Sequence, residues 1–319
     1  MSNREEWQSM LRAARLYYED YLTQQQIADE LGVSRPTVSR LLTQARREGV
    51  VQITIKDPFA RSEELETCLA RFFNLKRAVL VAGEGLSGEL LRRRLGLAAA
   101  EYLQYALDDG SKLGIGWGRT LHAVVEALDL QQRLNIQVIP LIGGLGQISS
   151  SFQVNDLARR LAESLGGTWQ PFYVPAFVAD PAALEALLHL ADVESVLRSW
   201  PEVDVALVGI GHFASQHQSS MLFSSYIAAD VLQKLELCGA VGDLCGRFFD
   251  AQGQQCFEER GIIGISLEQL RALGHVIGVA GGTDKVAAIL GALRGGYINV
   301  LVTDTITAQA VLDAAAAQV

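Results

Sequence analysis

The sequence predicts two domains of different fold class. The first is an all-α helix-turn-helix domain over residues 1–57, followed at its end by a strand that could form a wing; the second is a doubly wound, mostly parallel α/β domain over residues 58–319. The first fifty residues place apolar side chains at helical spacing on both sides of a glycine turn. From residue 78 onward, short apolar runs alternate with helical stretches, as expected of a parallel sheet. Asp57-Pro58 separates the two patterns.

The N-terminal pattern begins with two predicted helices. Apolar residues at helical spacing over Trp7–Tyr18 predict the first helix. Thr23 and Gln26 have the spacing of a capping box, in which each side chain bonds to the backbone of the other residue. The second helix is predicted to end near Leu31, because Gly32 can adopt the left-handed conformation that closes a helix.

A third helix is predicted to start after Ser34, a favourable N-cap, with Pro36 in its first turn. One face carries Val38, Leu41, Leu42 and Ala45, and the other carries Arg and small polar residues. The alternating residues 50–55 predict a short strand, the candidate wing.

Charge distribution favours DNA as the partner of this unit. The chain has a net charge of −9, yet residues 31–56 hold five basic residues and one acidic residue. Such a focused patch attracts phosphates, and the start of the second helix of a helix-turn-helix reads base edges in the major groove. A helical hairpin used for dimerisation is the alternative. The candidate DNA-binding residues are Thr23, Gln24, Ser34, Arg35, Pro36, Thr37, Ser39, Arg40, Gln44 and Arg47.

Six strands and eight helices are predicted in the second domain. The strands are Ala78–Val81, Lys112–Gly116, Ile136–Leu141, Val203–Gly209, His275–Ala280 and Asn299–Thr303. The helices are Ser62–Phe73, Gly88–Leu107, Leu121–Leu128, Val154–Leu165, Pro181–Leu190, Ala228–Cys238, Lys285–Arg294 and Ala308–Ala316.

Glycine-rich loops follow several of these strands. In doubly wound sheets ligands bind at the carboxyl ends of strands, so these loops are expected to converge on one site. Glycines let backbone amides approach an anion, and a helix start favours it. The alternative is that the glycines serve only as turns. The loops concerned are Gly116–Thr120, Gly143–Gly146, Gly209–His212, Gly281–Lys285 and Asp304–Thr305.

Several function classes find no support in the sequence. It contains no G-K-[ST] phosphate loop, no dinucleotide fingerprint between a strand and a helix, and no serine nucleophile elbow. His and acidic residues do not occur at metal-binding spacing, so neither a metal nor another cofactor is expected. Four cysteines without C-x-x-C spacing predict reduced thiols. The lack of a long apolar run and of a signal-like N-terminus predicts a cytoplasmic protein without a membrane partner.

The chain resembles the SorC family of sugar-binding transcription regulators over nearly its whole length. The N-terminal match is Leu22–Leu42, LTQQQIADELGVSRPTVSRLL. The C-terminal matches, in the order expected for the family, are GWGRTL at 116–121, LVGIG at 207–211, GAVGDLCGRFFD at 239–250, GVAGG at 278–282 with Lys285, and RGGYINVLVTD at 294–304.

This resemblance implies an effector domain with a fold similar to sugar-phosphate isomerases that acts as a sensor. It implies a phosphorylated sugar or sugar alcohol as effector and a homodimer or homotetramer. Because a single helix-turn-helix offers little specificity, dimerisation on a palindromic operator is expected. By position, the implied phosphate loop contains Gly116, Gly118, Arg119 and Thr120, with Asp243 as a hydroxyl acceptor and Lys285 as a second anion ligand. The full set of candidate effector residues is Gly116, Trp117, Gly118, Arg119, Thr120, Gly143, Gly144, Gly211, His212, Asp243 and Lys285.

Two of these residues have a simpler interpretation on their own. Asp243 follows Gly242 in what reads as a turn, where a solvent-facing carboxylate is common. Lys285 at a helix start would ordinarily be a solvated lysine.

An enzyme is the alternative function, a sugar-phosphate isomerase or deaminase with an accessory DNA-binding arm. Such chemistry needs a general acid and base, for which Asp243, Asp284, Asp304 and His212 are candidates, and no pair of them stands out. A sugar kinase fused to a helix-turn-helix would need an ATP loop, which the sequence lacks.

Overall fold

The computed structural model describes residues 3–48, 50–51, 60–128, 134–146, 152–213, 229–256 and 261–317. The chain divides into two compact units, Met1–Pro58 and Phe59–Val319. Each unit has its own cluster of buried apolar side chains. No helix among the described residues has both the length and the apolar character that crossing a membrane requires.

The described residues of the first unit form three helices: α1 (Asn3–Tyr18), α2 (Gln24–Leu31) and α3 (Arg35–Arg47). The predicted capping box of Thr23 and Gln26 is present. Gly32 closes α2 with φ 64°, and the Ser34 side chain accepts a hydrogen bond from the Thr37 backbone at the start of α3. The predicted strand at 50–55 falls, from residue 52 onward, outside the described residues.

The core of the first unit is formed by apolar side chains from all three helices. Ile27 and Val38 are fully buried between the helices, together with Met10 from α1. Burying these side chains stabilises the unit by roughly 1.5–3 kcal/mol each. The opposite face of α3 carries exposed side chains, among them Arg35, Ser39 and Arg40.

The second unit is built on a seven-stranded parallel sheet, as the predicted doubly wound fold requires. Its strands are β1 (Arg77–Val81), β2 (Lys112–Ile115), β3 (Gln137–Pro140), β4 (Thr168–Trp169), β5 (Val205–Gly209), β9 (Val276–Val279) and β10 (Val300–Asp304). They lie in the order β1-β10-β9-β5-β2-β3-β4, and all pairs are parallel. Sequence analysis missed β4, which has only two residues.

Helices cover both faces of this sheet and bury its apolar strands. They are α4 (Ala60–Phe72), α5 (Gly88–Ala106), α6 (Arg119–Ala127), α7 (Val154–Leu165), α8 (Pro181–Leu188), α9 (Ala191–Ser199), α10 (Ala229–Cys238), α11 (Leu267–Ala272), α12 (Val286–Arg294) and α13 (Thr305–Ala316). Two of these helices were not predicted: α11, which has six residues, and α9, which has nine and is as long as the predicted α6.

A second, antiparallel sheet lies outside the prediction. It has the order β6-β7-β8 and consists of β6 (Gly211–His212), β7 (Ala240–Leu244) and β8 (Arg247–Asp250). β7 and β8 form a tight hairpin in which Cys245 and Gly246 both have positive φ, 49° and 79°. The glycine-rich β7 is a strand because it pairs with β6 and β8. The pairing partners of a strand cannot be read from a single sequence.

The expectation of four reduced thiols was wrong for two of the cysteines. The structure joins Cys238 and Cys256 in a disulfide, whereas Cys68 and Cys245 are free. The two residues are 18 positions apart, a spacing that carries no motif. The β7–β8 hairpin, itself not predicted, is what returns the chain and brings them together.

Candidate functional site

A cavity of about 540 Å³ opens at the carboxyl edge of the parallel sheet. This volume lies within the range of small-molecule sites, and the position follows the rule for doubly wound folds. The loops that follow β1, β2, β5, β9 and β10 all contribute to its lining. The lining includes nine of the eleven candidate residues: Gly116, Trp117, Gly118, Arg119, Thr120, Gly211, His212, Asp243 and Lys285.

Gly143 and Gly144 do not belong to this lining. A Cβ on Gly143 would lie 2.7 Å from the Val174 carbonyl oxygen, and Gly144 pairs with Pro175 in a parallel bridge. These two glycines therefore permit a close approach between two backbone segments. Close packing of the backbone, and neither a turn nor effector binding, accounts for both positions.

The β2–α6 loop presents an uncapped helix start to the cavity. Gly118 occupies the N-cap of α6 with φ 118°, and no side chain caps the helix. The first amides of an α-helix have no partner within the helix and attract anions. Because Arg119 and Thr120 begin this helix and line the cavity, the loop can bind an anionic group.

Lys285 lies at the N-cap of α12, and its ammonium group turns inward. Its Nζ donates a hydrogen bond of 2.6 Å to the carbonyl oxygen of Ile210. Burial lowers the pKa of Lys285; Asp284 and Asp243 oppose this shift, and the charges of Arg92 and Arg119 add to it. Lys285 is thus a largely buried cation within range of two further cations, an arrangement that an anionic ligand would stabilise.

Asp243 lies on β7, with only 4% of its surface exposed, and the expectation of a solvent-facing turn residue is wrong. The Gly246 N–H donates to its Oδ2 at 3.2 Å. Its Oδ1 faces Gly211, where a Cβ would come within 1.9 Å. Burial raises the pKa of Asp243 to about 6, against the opposing effects of the Gly246 hydrogen bond and the Lys285 charge.

His212 pairs with Gly242 across β6 and β7, and it lines the same cavity as Asp243. Its Nδ1 is buried and has no hydrogen-bond partner within the described parts of the chain. The nearest carboxylate oxygen, Asp284 Oδ2, is 3.8 Å away. Because a buried polar atom without a partner costs free energy, this nitrogen is available to a ligand hydroxyl.

Sequence analysis missed the loop after β1. Ser87 is the N-cap of α5 but makes no side-chain cap, and Gly88 has φ 54°. Arg92, one turn into α5, lines the cavity and donates to Glu89 Oε2 at 2.9 Å. The strand-end rule that pointed to the other loops also applies to β1, and extending it would have identified these residues.

Asp304 lies at the cavity as a structural support. Its Oδ1 accepts the Thr307 N–H at 2.9 Å and so caps α13. Its Oδ2 accepts the Gly282 N–H at 3.0 Å and the Thr307 hydroxyl at 2.6 Å. With both oxygens engaged, Asp304 holds two loops in place and is poorly suited to act as a general base.

A Gly211→Ala substitution is expected to disrupt the position of Asp243. The new methyl group would lie 1.9 Å from Oδ1 and 2.9 Å from Cγ of Asp243, so the carboxyl group must move. We expect a loss of roughly 1–3 kcal/mol in stability from overpacking, together with weaker effector binding. Chemical denaturation and calorimetry measure the two effects.

Gly274→Ala provides the control for this substitution. A Cβ at Gly274 meets no atom within 4 Å, so the variant should behave like the parent protein. Equal losses in both variants would contradict the assigned contact between Gly211 and Asp243.

The buried carboxyl group of Asp243 predicts a pH-dependent stability. The pKa of this carboxyl group is about 6 in the folded protein, whereas its ordinary value is 3.8. A raised folded pKa contributes stability below pH 4 that is lost as the pH rises through 6, since the folded state must then hold a buried charge. The two-unit shift corresponds to about 3 kcal/mol.

Asp243→Asn should lack this dependence. We expect the variant to become more stable relative to the parent protein when the pH is raised from 4.5 to 7.5. Denaturant unfolding of both proteins at the two pH values measures this change. If the two stability curves run parallel across this interval, Asp243 does not carry a raised pKa.

The candidate nucleic-acid interface lies on the exposed side of α3. Arg35, Ser39, Arg40 and Arg47 are exposed there. The Ser34 and Thr37 hydroxyls lie 2.8 Å apart and hold the start of the helix. Pro36 occupies its first turn, and Gln44 bonds to Glu48 at 3.0 Å.

Thr23 and Gln24 lie at the start of α2, next to Arg35 in a shallow pocket that also includes three tyrosines. Arg46, which is not among the candidates, donates from Nε to the Tyr18 hydroxyl at 2.9 Å and so joins α3 to α1. The helix that carries these exposed cations is therefore held in place by the apolar core of the first unit and by the Arg46–Tyr18 hydrogen bond.

Comparison with known families agrees with both units. The family model for a sugar-binding domain matches residues 57–313, and the model for a Crp-like helix-turn-helix domain matches residues 9–60. The chain is 33% identical over 317 residues to the sorbitol operon regulator of Klebsiella pneumoniae, covering 98% of this chain and 100% of that protein. It is 34% identical over 318 residues to the deoxyribonucleoside regulator of Bacillus subtilis, covering 98% and 99%.

Solved structures give the same result. The crystal structure of the full-length sorbitol operon regulator SorC from Klebsiella pneumoniae matches with a TM-score of 0.75 and 33% identity, covering 95% of this chain and 97% of that one. A transcriptional regulator from Streptococcus pneumoniae TIGR4 matches with a TM-score of 0.76 and 27% identity, covering 82% and 100%. The relatives are regulators, which decides against the isomerase alternative. The chain belongs to the SorC family of sugar-binding transcriptional regulators, with a helix-turn-helix for DNA and a domain for a sugar effector.

Proposed function

We propose that this regulator controls an operon for carbohydrate or sugar-alcohol catabolism and that its effector is a phosphorylated sugar or polyol bound in the cavity at the sheet edge. The observation that carries the proposal is the convergence of Arg92, Arg119 and Lys285 on one cavity that also contains the buried Asp243. The cations and the uncapped start of α6 suit a phosphate.

The other end of the cavity suits hydroxyl groups. Asp243 Oδ1 can accept a hydrogen bond from a hydroxyl, and the buried Nδ1 of His212 can exchange one with a neighbouring hydroxyl. A polyol phosphate presents both chemistries in a single small molecule. The names of two relatives, a sorbitol operon regulator and a deoxyribonucleoside regulator, agree with an effector of this size.

Control of DNA binding follows from linkage. If the effector binds one conformation better, it shifts operator affinity by the same factor, and a coupling of ~1–3 kcal/mol changes that affinity ~5–150-fold. In this scheme residues 1–57 contact DNA, and residues 58–319 bind the effector and form the oligomer. The protein acts in the cytoplasm, where both partners are found.

The operator and the oligomer are linked by symmetry. A single helix-turn-helix reads few base pairs, so a homodimer or homotetramer on a palindromic operator provides the necessary specificity. Footprinting should reveal two half-sites about 10 base pairs apart, centre to centre, or a multiple of this spacing. A single unpaired half-site of the same affinity would contradict this arrangement.

Thermal melts against matched pairs test the effector class. D-sorbitol and D-sorbitol 6-phosphate form one pair, and 2-deoxy-D-ribose and its 5-phosphate form another. A ligand at ~100 times its dissociation constant adds ~2.7 kcal/mol, which is visible in a melt. Stabilisation by a phosphorylated member alone would support the proposal. Stabilisation by the free sugars alone would overturn the phosphate assignment.

A further inference from the structure

The disulfide between Cys238 and Cys256 encloses the part of the chain that carries Asp243. Its Cα atoms are 5.6 Å apart, and the ring contains both β7 and β8. β7 also pairs with β6, which supplies Gly211 and His212 to the cavity. The disulfide is therefore a covalent link around the hairpin that forms one wall of the effector cavity.

The two ends of this link are held to different degrees. Cys256 is fixed, because its N–H donates to the Phe248 carbonyl oxygen at 3.0 Å and the preceding Gln255 bridges to Phe249. Cys238 ends α10, a helix in which Leu235 is fully buried and Leu237 is 81% exposed. The disulfide thus adds a strong attachment to a helix end with few buried apolar contacts of its own.

Accessibility separates this pair from the other cysteines. Cys238 and Cys256 are both partly exposed, so small thiols and disulfides can reach them. Cys245 is buried, and burial raises its pKa to about 12, which keeps it in the unreactive thiol form. Cys68 is exposed but is free, without a disulfide partner among the described residues.

We propose that Cys238 and Cys256 are a reversible thiol–disulfide modification site whose reactant is a low-molecular-weight disulfide such as glutathione disulfide. One cysteine thiolate attacks the reactant, forming a mixed disulfide and releasing one glutathione thiolate. The second cysteine thiolate attacks the protein sulfur of the mixed disulfide and releases the second glutathione. Two protein thiols are oxidised and one external disulfide is reduced to two glutathione thiols, which take up the two protons that the protein thiols lose.

Ring closure is expected to make the β7–β8 hairpin more rigid, because it removes conformations from the opened chain. A hairpin that is already ordered pays less to bind a ligand, so the oxidised form should bind the effector more tightly. This consequence rests on the proposed function, whereas formation of the disulfide and its effect on the hairpin do not.

Redox titration of the full-length protein tests the site directly. The protein is equilibrated with glutathione buffers, alkylated and mapped by mass spectrometry. We expect a Cys238–Cys256 cross-link that forms and disappears reversibly with the buffer, while Cys68 and Cys245 stay available to alkylation after denaturation. Thiols that remain reduced in excess glutathione disulfide, or a cross-link to another cysteine, would overturn the proposal.

Hydrogen exchange in peptides covering residues 240–250 provides the second measurement. We expect exchange to be at least about tenfold slower in the oxidised than in the reduced protein. This change corresponds to less than the full stabilisation that closure of such a ring can provide. Cys238→Ser should exchange at the reduced rate in both buffers, and Cys68→Ser should respond like the parent protein. Equal exchange in oxidised and reduced parent protein would contradict a role in ordering the hairpin. Because neither measurement uses an effector, failure of the effector proposal would leave this result intact.

Discussion

Lys285→Met is expected to weaken effector binding by about 10- to 150-fold. This range corresponds to the ~1.5–3 kcal/mol that a hydrogen bond to a charged group contributes. The methionine keeps the apolar stem of the lysine and removes only the cation. Without it, the carbonyl oxygen of Ile210 loses a 2.6 Å hydrogen bond, and Asp243 loses the cation that opposes its raised pKa. Calorimetry with the phosphorylated sugar selected by the melts measures the loss.

Lys112→Met is the matched control for this variant. It makes the same change of charge and shape at the start of β2, where Lys112 pairs with Glu202 and does not line the cavity. The control should bind the effector normally, and both variants should bind operator DNA normally when no effector is present. Unchanged effector affinity in Lys285→Met would remove Lys285 from the proposed site.

Arg40→Ala is expected to reduce operator affinity by at least about tenfold, since a bidentate arginine–base contact contributes ~1–3 kcal/mol and each subunit of the oligomer loses one. Arg40 is exposed on α3, and the core side of the helix is formed by Val38, Leu41 and Leu42. The substitution should therefore leave the fold and effector binding intact. Fluorescence anisotropy with an operator selected by the full-length protein measures the change.

Arg12→Ala separates a specific contact from a general effect of charge. It removes one positive charge from the same unit, but Arg12 lies on α1 and pairs with Glu30 at 3.4 Å. We expect little change in operator affinity. Similar losses in the two variants, or an unchanged footprint for Arg40→Ala, would contradict the assignment of α3 as the recognition helix.

Much of the fold could be predicted because its elements carry local signals. The capping box at Thr23, the left-handed Gly32 and the N-cap at Ser34 are short-range features that operate within a few residues. Five of the six predicted strands of the parallel sheet are mostly buried, so each appears as a largely apolar run, and β1 at the sheet edge is apolar after Arg77. The short elements β4 and α11, with two and six residues, have too few residues to show a period.

The part of the site that could not be predicted depends on contacts between distant segments. Asp243 reads as a turn residue because it follows a glycine, and pairing with β6 and β8 places it in a strand beside Gly211. The same hairpin brings Cys238 to Cys256. In contrast, Arg92 could have been found, since the rule of strand ends applies to β1 as it does to β2.

The most direct test of the regulatory account is operator affinity measured with and without a matched sugar pair. Labelled operator is titrated with full-length protein in the presence of the stabilising sugar phosphate, its unphosphorylated form, or neither. The account predicts a ~5–150-fold change in affinity with the phosphate alone, and no such change in Lys285→Met at the same concentration. An operator affinity unchanged by a sugar phosphate that binds the cavity would contradict control of DNA binding from this site.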